Sequence, residues 1–248
     1  LLVLLSLPYD FATCFFIASG LYALSWVFLN LTREGEREPA APDIPVSPLW
    51  QNVRNILKND RSFTNFLISL FIAHFGMMAF AFYSVYAVKI LGMNTIQVGF
   101  MTSVLMLTMV IMNPLLGRLS DIWSRKWVLV LGSLCASASA LLALLIKEPN
   151  LFALVFVLNG IASTSFWTIG IAMSLEFGTE SQRPTYVGMA NTLVAPAAII
   201  APLIGGVLAD TFQYSATFIA SSAFALLGSF VLALMVQESK KKTEFPTF

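Results

Sequence analysis

Seven stretches of this chain stay apolar for long enough to cross a lipid bilayer, a distance that takes about 20 mostly apolar residues in a helix. After a short opening run, LLVLLSLP, they fall at 11–30, 63–89, 96–117, 127–146, 151–175, 185–208 and 214–236. Polar or turn-forming residues separate them. These are Pro8 to Asp10, Thr32 to Arg61, Gly92 to Thr95, Arg118 to Lys126, Lys147 to Asn150, Gly178 to Pro184, and Asp210 to Gln213. All but one of the connections between these spans are short, so consecutive helices run antiparallel. The pattern predicts an all-α fold, a polytopic transmembrane helical bundle. The chain opens at Leu1 inside an apolar run without a cationic leader, and is read as a piece of a longer protein.

The long connection, 31–62, has two parts. Residues 31–46 are charged and proline-rich, the composition of a solvated linker. Residues 47–58 read as a helix, with Ser47 as N-cap and Pro48 at the first helical position. Leu49, Trp50, Val53, Ile56 and Leu57 share one face, flanked by Arg54 and Lys58. Such a helix is expected on the inner membrane surface, its apolar face in the headgroup boundary or against a partner protein.

Composition narrows the class. Hydrophobic residues make up 58% of the 248, charged residues 11%, and the mean hydropathy is +0.81. A soluble domain carries about 25% charged residues. A soluble enzyme, a secreted disulfide scaffold and a disordered chain are excluded on that ground. The 14 basic and 13 acidic residues nearly cancel, so nothing draws the chain to nucleic acid. One histidine and two cysteines, Cys14 and Cys135, are too few for a metal cage, and no cofactor is expected.

Where the basic residues fall sets orientation. With the 31–62 loop in the cytoplasm, the inner side holds Arg33, Arg37, Arg54, Lys58, Arg61, Arg118, Arg125, Lys126, Arg183 and Lys240 to Lys242. The outer side holds Lys89 and Lys147, twelve against two. The C-terminus is then cytoplasmic, and residues 238–248 form an inner tail of a cell-membrane protein.

Two features carry candidate chemistry. His74, the sole histidine, lies near the middle of the 63–89 span, where an ionisable group is a functional hypothesis by default. Its ordinary pKa near 6.5 suits proton exchange; a neutral imidazole bonded to a neighbouring helix is the other reading. In the 151–175 span, Asn159, Ser163, Trp167, Gly170 and Ser174 recur at steps of four, four, three and four, on one helical face. One flat aromatic among small polar groups suits a small organic solute. Close helix packing accounts for the same residues, and both readings stand.

The connection Gly117-Arg118-Leu119-Ser120-Asp121-Ile122-Trp123-Ser124-Arg125-Lys126 resembles the short cytoplasmic loop of the major facilitator superfamily, Gly-x-x-x-Asp-(Arg/Lys)-x-Gly-x-(Arg/Lys)-(Arg/Lys). Gly117, Asp121, Arg125 and Lys126 match; Ile122 and Ser124 depart from a basic residue and a glycine. The stretches Arg183 to Thr192 and Ala201 to Asp210 are similar to the family's helix 11. The resemblance numbers the spans as helices 6 to 12 of an expected 12. Residues 1–30 are then the end of helix 5 with helix 6, 31–62 the central loop, and 63–237 the C-terminal six-helix bundle. It implies a secondary active transporter that moves a small organic solute by alternating access, coupled to protons or another ion. Its partners are membrane lipids and the missing N-terminal helices of the same protein.

The same resemblance places the solute cavity beside helices 7 and 10, with His74, Asn159, Ser163 and Trp167 as candidate contacts. It makes Gly117, Asp121, Arg125 and Lys126 candidates for an inner conformational latch, with the gating role favoured for Asp121 and topology favoured for the basic residues. Glu176 and Glu180, beside Arg183, are a second latch or a solvated loop pair. A non-transporting scaffold or sensor on this fold remains an alternative. A membrane enzyme is disfavoured by the lack of a converging His/Asp cluster, and no phosphate-binding G-x-x-x-x-G-K-[ST] loop is present.

Overall fold

A computed structural model describes residues 11–31 and 49–236. The expected helix 5 tail (1–8), most of the proline-rich linker, the Ser47–Pro48 helix start and the inner tail with Lys240 to Lys242 lie outside the described residues. The described part falls into two units. In the first, α1 (Phe11–Leu31) is a single helix of 21 residues, about 32 Å long and so matched to a bilayer core.

The second unit is helical throughout its described elements. It runs α2 (Leu49–Asn59), α3 (Arg61–Gly76), α4 (Phe80–Lys89), α5 (Thr95–Ile122), α6 (Arg125–Leu145) and α7 (Ala153–Thr164). A π turn (Ser165–Ile169), α8 (Gly170–Ser174), a 3-10 turn (Glu180–Gln182) and α9 (Arg183–Met235) follow. Local chemistry sets the starts. Asp60 caps α3, its Oδ1 accepting from Phe63 N at 2.9 Å. Asn94 and Gln97 cap α5 reciprocally, each side chain accepting from the other's backbone N–H at 2.9 Å.

At 53 residues α9 would measure about 80 Å, more than twice the hydrocarbon thickness. It breaks at Gln213, whose φ of 70° is left-handed. Thr217 Oγ1 donates to Gly205 O at 2.8 Å. Residues twelve apart in an unbroken helix stand about 18 Å apart, so the chain doubles back here. The first limb, 183–212, and the second, 214–235, correspond to the two spans read from the sequence. With α3–α4, α5, α6 and α7–α8 they make six segments long and apolar enough to cross a membrane.

Aromatic side chains close the bundle at both ends. At one end Phe63, Phe66, Phe177 and Tyr186 pack together, Phe63 edge-on to Tyr186 with centroids 4.5 Å apart. At the other Tyr83, Tyr86, Phe152 and Phe218 do the same. Each such pair contributes about 0.5–1.5 kcal/mol beyond its buried area. Lys147 Nζ donates to Tyr86 OH at 3.0 Å, so the α6–α7 connection shares that second end with Lys89. The first end carries Arg54, Lys58, Arg61, Arg118, Arg125, Lys126 and Arg183.

Small residues and serines hold the middle. The α6 hydroxyls reach other helices: Ser133 to Ala225 O at 2.7 Å, Ser137 to Ser222 at 2.7 Å, and Ser139 to Tyr83 OH at 2.8 Å. The span read as one helix over 63–89 is interrupted after Gly76. Ser221 bridges the gap, donating to Gly76 O and accepting from Ala79 N at 3.3 Å. A methyl on Gly76 would stand 2.6 Å from Ala225 Cα, and one on Gly228 3.0 Å from Ala73 Cα. The α2 helix lays Val53, Ile56 and Leu57 against the first aromatic end, with Arg54 and Lys58 turned outward. By contrast α5 exposes Ile96, Phe100, Leu107, Val110 and Leu115, a surface suited to lipid tails.

Gly76→Ala is expected to cost about 1–3 kcal/mol because backbone atoms oppose the added methyl. Gly99→Ala meets open space in α5 and is expected to be neutral or stabilising by up to about 1 kcal/mol. Melting curves of the two variants in detergent decide this.

Candidate functional site

One cavity joins two of the four candidate solute contacts, His74 and Trp167. It measures about 440 Å³ and opens between α3, the π turn with α8, and the first limb of α9, a size suited to a small organic molecule. From α3 come Leu70 and His74, from the π turn Phe166 and Trp167, and from α9 Asn191, Val194 and Ala198. The wall is apolar apart from a few groups. Ser174 Oγ is spent on Gly170 O at 2.9 Å, which leaves the His74 imidazole, the exposed Asn191 carboxamide and the Trp167 indole N–H as its polar groups. His74 Nδ1 lies 2.8 Å from Leu70 O, and its ring stands 6.0 Å from that of Phe166.

The stripe expected on one helical face divides in two. Trp167, 65% exposed, lines the cavity together with Gly170 and Ser174. Asn159 and Ser163 are buried and lie outside the cavity lining. The π turn is the cause: its i→i+5 bonding takes in an extra residue and rotates everything after it. Neighbours on both sides fit this turn. Gly132 in α6 has no side chain, and a methyl there would stand 2.3 Å from Ser165 Cβ. On the α5 side, Thr168 Oγ1 donates to Asn113 Oδ1 at 2.6 Å, beside Pro114. Two buried polar atoms behind the turn, Asn159 Nδ2 and Ser165 Oγ, make no hydrogen bond.

Asn191 and Phe166 were not among the candidates read from the sequence. Asn191 carried a usable signal, an amide inside an apolar span. Phe166 carried none, since one phenylalanine among 21 is indistinguishable from packing.

At the basic end, the loop resembling the family signature is more helical than its polarity suggests. Gly117 to Ile122 continue α5, with Ser120 Oγ donating to Gly117 O at 2.7 Å. The connection is Trp123 and Ser124 alone. Asp121 lies exposed on the last turn of α5. Arg125 opens α6 and reaches across to α8: its Nη1 is 2.9 Å from Glu176 Oε1 and donates to Ala172 O at 2.9 Å. That pair is about a quarter exposed on each side. Lys126 Nζ sits 5.3 Å from the centroid of the Trp127 ring. Glu180 and Arg183 pair at 3.3 Å, with Glu180 almost fully exposed, so their contact is worth at most about 1 kcal/mol. Glu176 thus binds Arg125, and Arg183 is left to Glu180. Among the described residues no three His, Cys, Asp or Glu side chains group as a metal site.

Residues 66–248 match the family model of the Major Facilitator Superfamily. The chain is similar to Multidrug resistance protein 1 of Bacillus subtilis, 28% identical over 187 residues, which cover 75% of this chain and 48% of that protein. It is similar to Multidrug resistance protein 2 of the same organism, 24% identical over 186 residues, covering 75% and 46%. A shorter likeness, 31% identical over 109 residues, covers 44% of this chain and 26% of the Staphyloferrin B transporter of Staphylococcus aureus. The chain therefore spans about half the length of the first two relatives. With the match running through every helix from α3 onward, and six apolar crossings in that region, this chain belongs to the Major Facilitator Superfamily of multi-pass membrane proteins.

Proposed function

We propose that this chain is part of a secondary active transporter, and that the cavity beneath the π turn is its share of the solute path. The carrying observation is a drug-sized apolar cavity with an exposed indole, Trp167, on one wall and two polar groups, His74 and Asn191, on the others. The names of the two Bacillus subtilis relatives favour an amphipathic organic solute over a sugar. In this reading residues 63–237 are the C-terminal bundle. The other half of the cavity comes from N-terminal helices of the whole protein. Asn159 and Ser163 support the wall from behind. The end bearing Arg54, Arg61, Arg118 and Arg125 faces the cytoplasm of a cell-membrane protein, following the inward bias of basic residues. Movement is driven by protons or another ion, with His74 as the candidate carrier in this half.

The inner latch in this reading is Arg125 with Glu176, joined by Gly117, Asp121 and Lys126 at the α5–α6 turn and by the weaker Glu180–Arg183 pair. A guanidinium that holds a carboxylate and a carbonyl together ties the start of α6 to the end of α8. Alternating access requires that such ties hold in one state and part in the other.

Three outcomes test this. Trp167→Ala is expected to lower uptake of an amphipathic dye into proteoliposomes on the order of tenfold, through loss of the stacking surface. Wild-type liposomes that move no solute would favour the scaffold reading instead. In a background lacking Cys14 and Cys135, a cysteine replacing Ala198 is expected to react with a water-soluble maleimide, and one replacing buried Ser163 to stay unreactive. Arg125→Ala breaks a charge-assisted contact worth about 1.5–3 kcal/mol when sheltered and less at this exposure. It is expected to shift the inward–outward balance roughly tenfold, read as maleimide labelling of that same Ala198→Cys site from the basic end.

A further inference from the structure

The direction of the His74 imidazole limits what the cavity can recognise. Nδ1 lies 2.8 Å from Leu70 O. A carbonyl oxygen only accepts, so Nδ1 carries the hydrogen and donates. The neutral ring then presents a bare lone pair at Nε2. Nε2 makes no hydrogen bond among the described residues. While the ring is neutral and this bond is made, Nε2 offers an acceptor and no donor. None of the other residues lining the cavity carries a charge. Asn191 supplies both an oxygen and an NH₂ group, so it accommodates either kind of partner. The Trp167 indole N–H can only donate, so the preference for solute donors falls to His74 Nε2.

Resting on the reading of this cavity as a solute site, we infer that it selects flat aromatic solutes bearing an N–H or O–H donor, with His74 Nε2 as the acceptor. The aromatic plane lies against Trp167 and Phe166. A solute with only acceptors meets the lone pair with its own. A solute whose donor is blocked strips water from Nε2 and gives nothing back, the circumstance in which a polar site rejects an analogue most strongly. A quaternary cation finds no carboxylate on this wall.

The test uses a matched pair of uncharged probes, 2-naphthol and 2-methoxynaphthalene, which differ in one O–H. The intact protein is held in detergent at pH 8, above the ordinary imidazole pKa of about 6.5. Apparent Kd values come from the ligand dependence of the melting temperature. Wild type is expected to prefer 2-naphthol by about tenfold. His74→Phe keeps a ring without an acceptor and is expected to bring the ratio close to one. His74→Gln restores an acceptor and is expected to recover most of the preference. Equal wild-type affinities for the two probes would overturn the inference without recourse to any variant, as would an undiminished ratio in His74→Phe. If that ratio persists while Trp167→Ala weakens both probes, the inference falls and the cavity stands as the solute site. If neither substitution changes either affinity, the cavity reading falls, and the inference with it.

Discussion

Backbone held against backbone is the constraint on which the second unit depends. In lipid, helices gain little from hiding apolar side chains, since the tails are as apolar as leucine. Van der Waals packing and interhelical hydrogen bonds must do the holding, and both require short distances. Gly76 against Ala225 and Ala73 against Gly228 bring α3 and the second limb of α9 within methyl-excluding range. At that separation hydroxyls that normally bond their own helix can span to the next. Ser221 does so at the interruption after Gly76, and Ser133 does so at Ala225. The broken backbone of the 61–89 crossing is therefore tolerable only because its neighbour is close enough to satisfy it.

The site inherits this logic. The π turn in the 153–174 crossing exists between two accommodations, the missing side chain of Gly132 and the Thr168–Asn113 hydrogen bond. Its extra residue carries Trp167 into the cavity while leaving Asn159 and Ser163 behind the wall. Packing on one side of a helix thus decides which side chain is presented on the other. The apolar wall then makes each remaining polar atom count. Arg125, at the start of α6, grips the same crossing below the turn through Glu176 and Ala172.

The crossings themselves were legible because twenty apolar residues in a row have few other uses, and the reversal near Gln213 was legible from Asp210 to Gln213. The family signature was readable from Gly117, Asp121, Arg125 and Lys126. What escaped depends on residues distant in sequence. The interruption in 63–89 is satisfied by Ser221, some 140 residues later. The π turn answers to Gly132 and Asn113 in two other helices, so a strict 3.6-residue period carried the stripe past the point where the helix stops obeying it. The last turn of α5 was read as loop because Arg118 and Asp121 are polar. At a membrane surface, polarity marks the edge of the lipid and says little about where a helix stops.

Asp60 has a practical consequence for anyone wishing to isolate the bundle. One carboxylate caps α3 through Phe63 N and accepts the Tyr186 hydroxyl at 3.3 Å from the start of α9. Just ahead of it, α2 shields the aromatic end with Val53, Ile56 and Leu57, and Thr64 Oγ1 donates back to Leu57 O at 2.9 Å. An expression boundary drawn where the apolar run begins, at Phe63, removes the cap and the shield together and bares a greasy, uncapped edge. Beginning ahead of Leu49 keeps both, so a boundary that preserves this end falls before the amphipathic helix and not at the first apolar residue of the crossing.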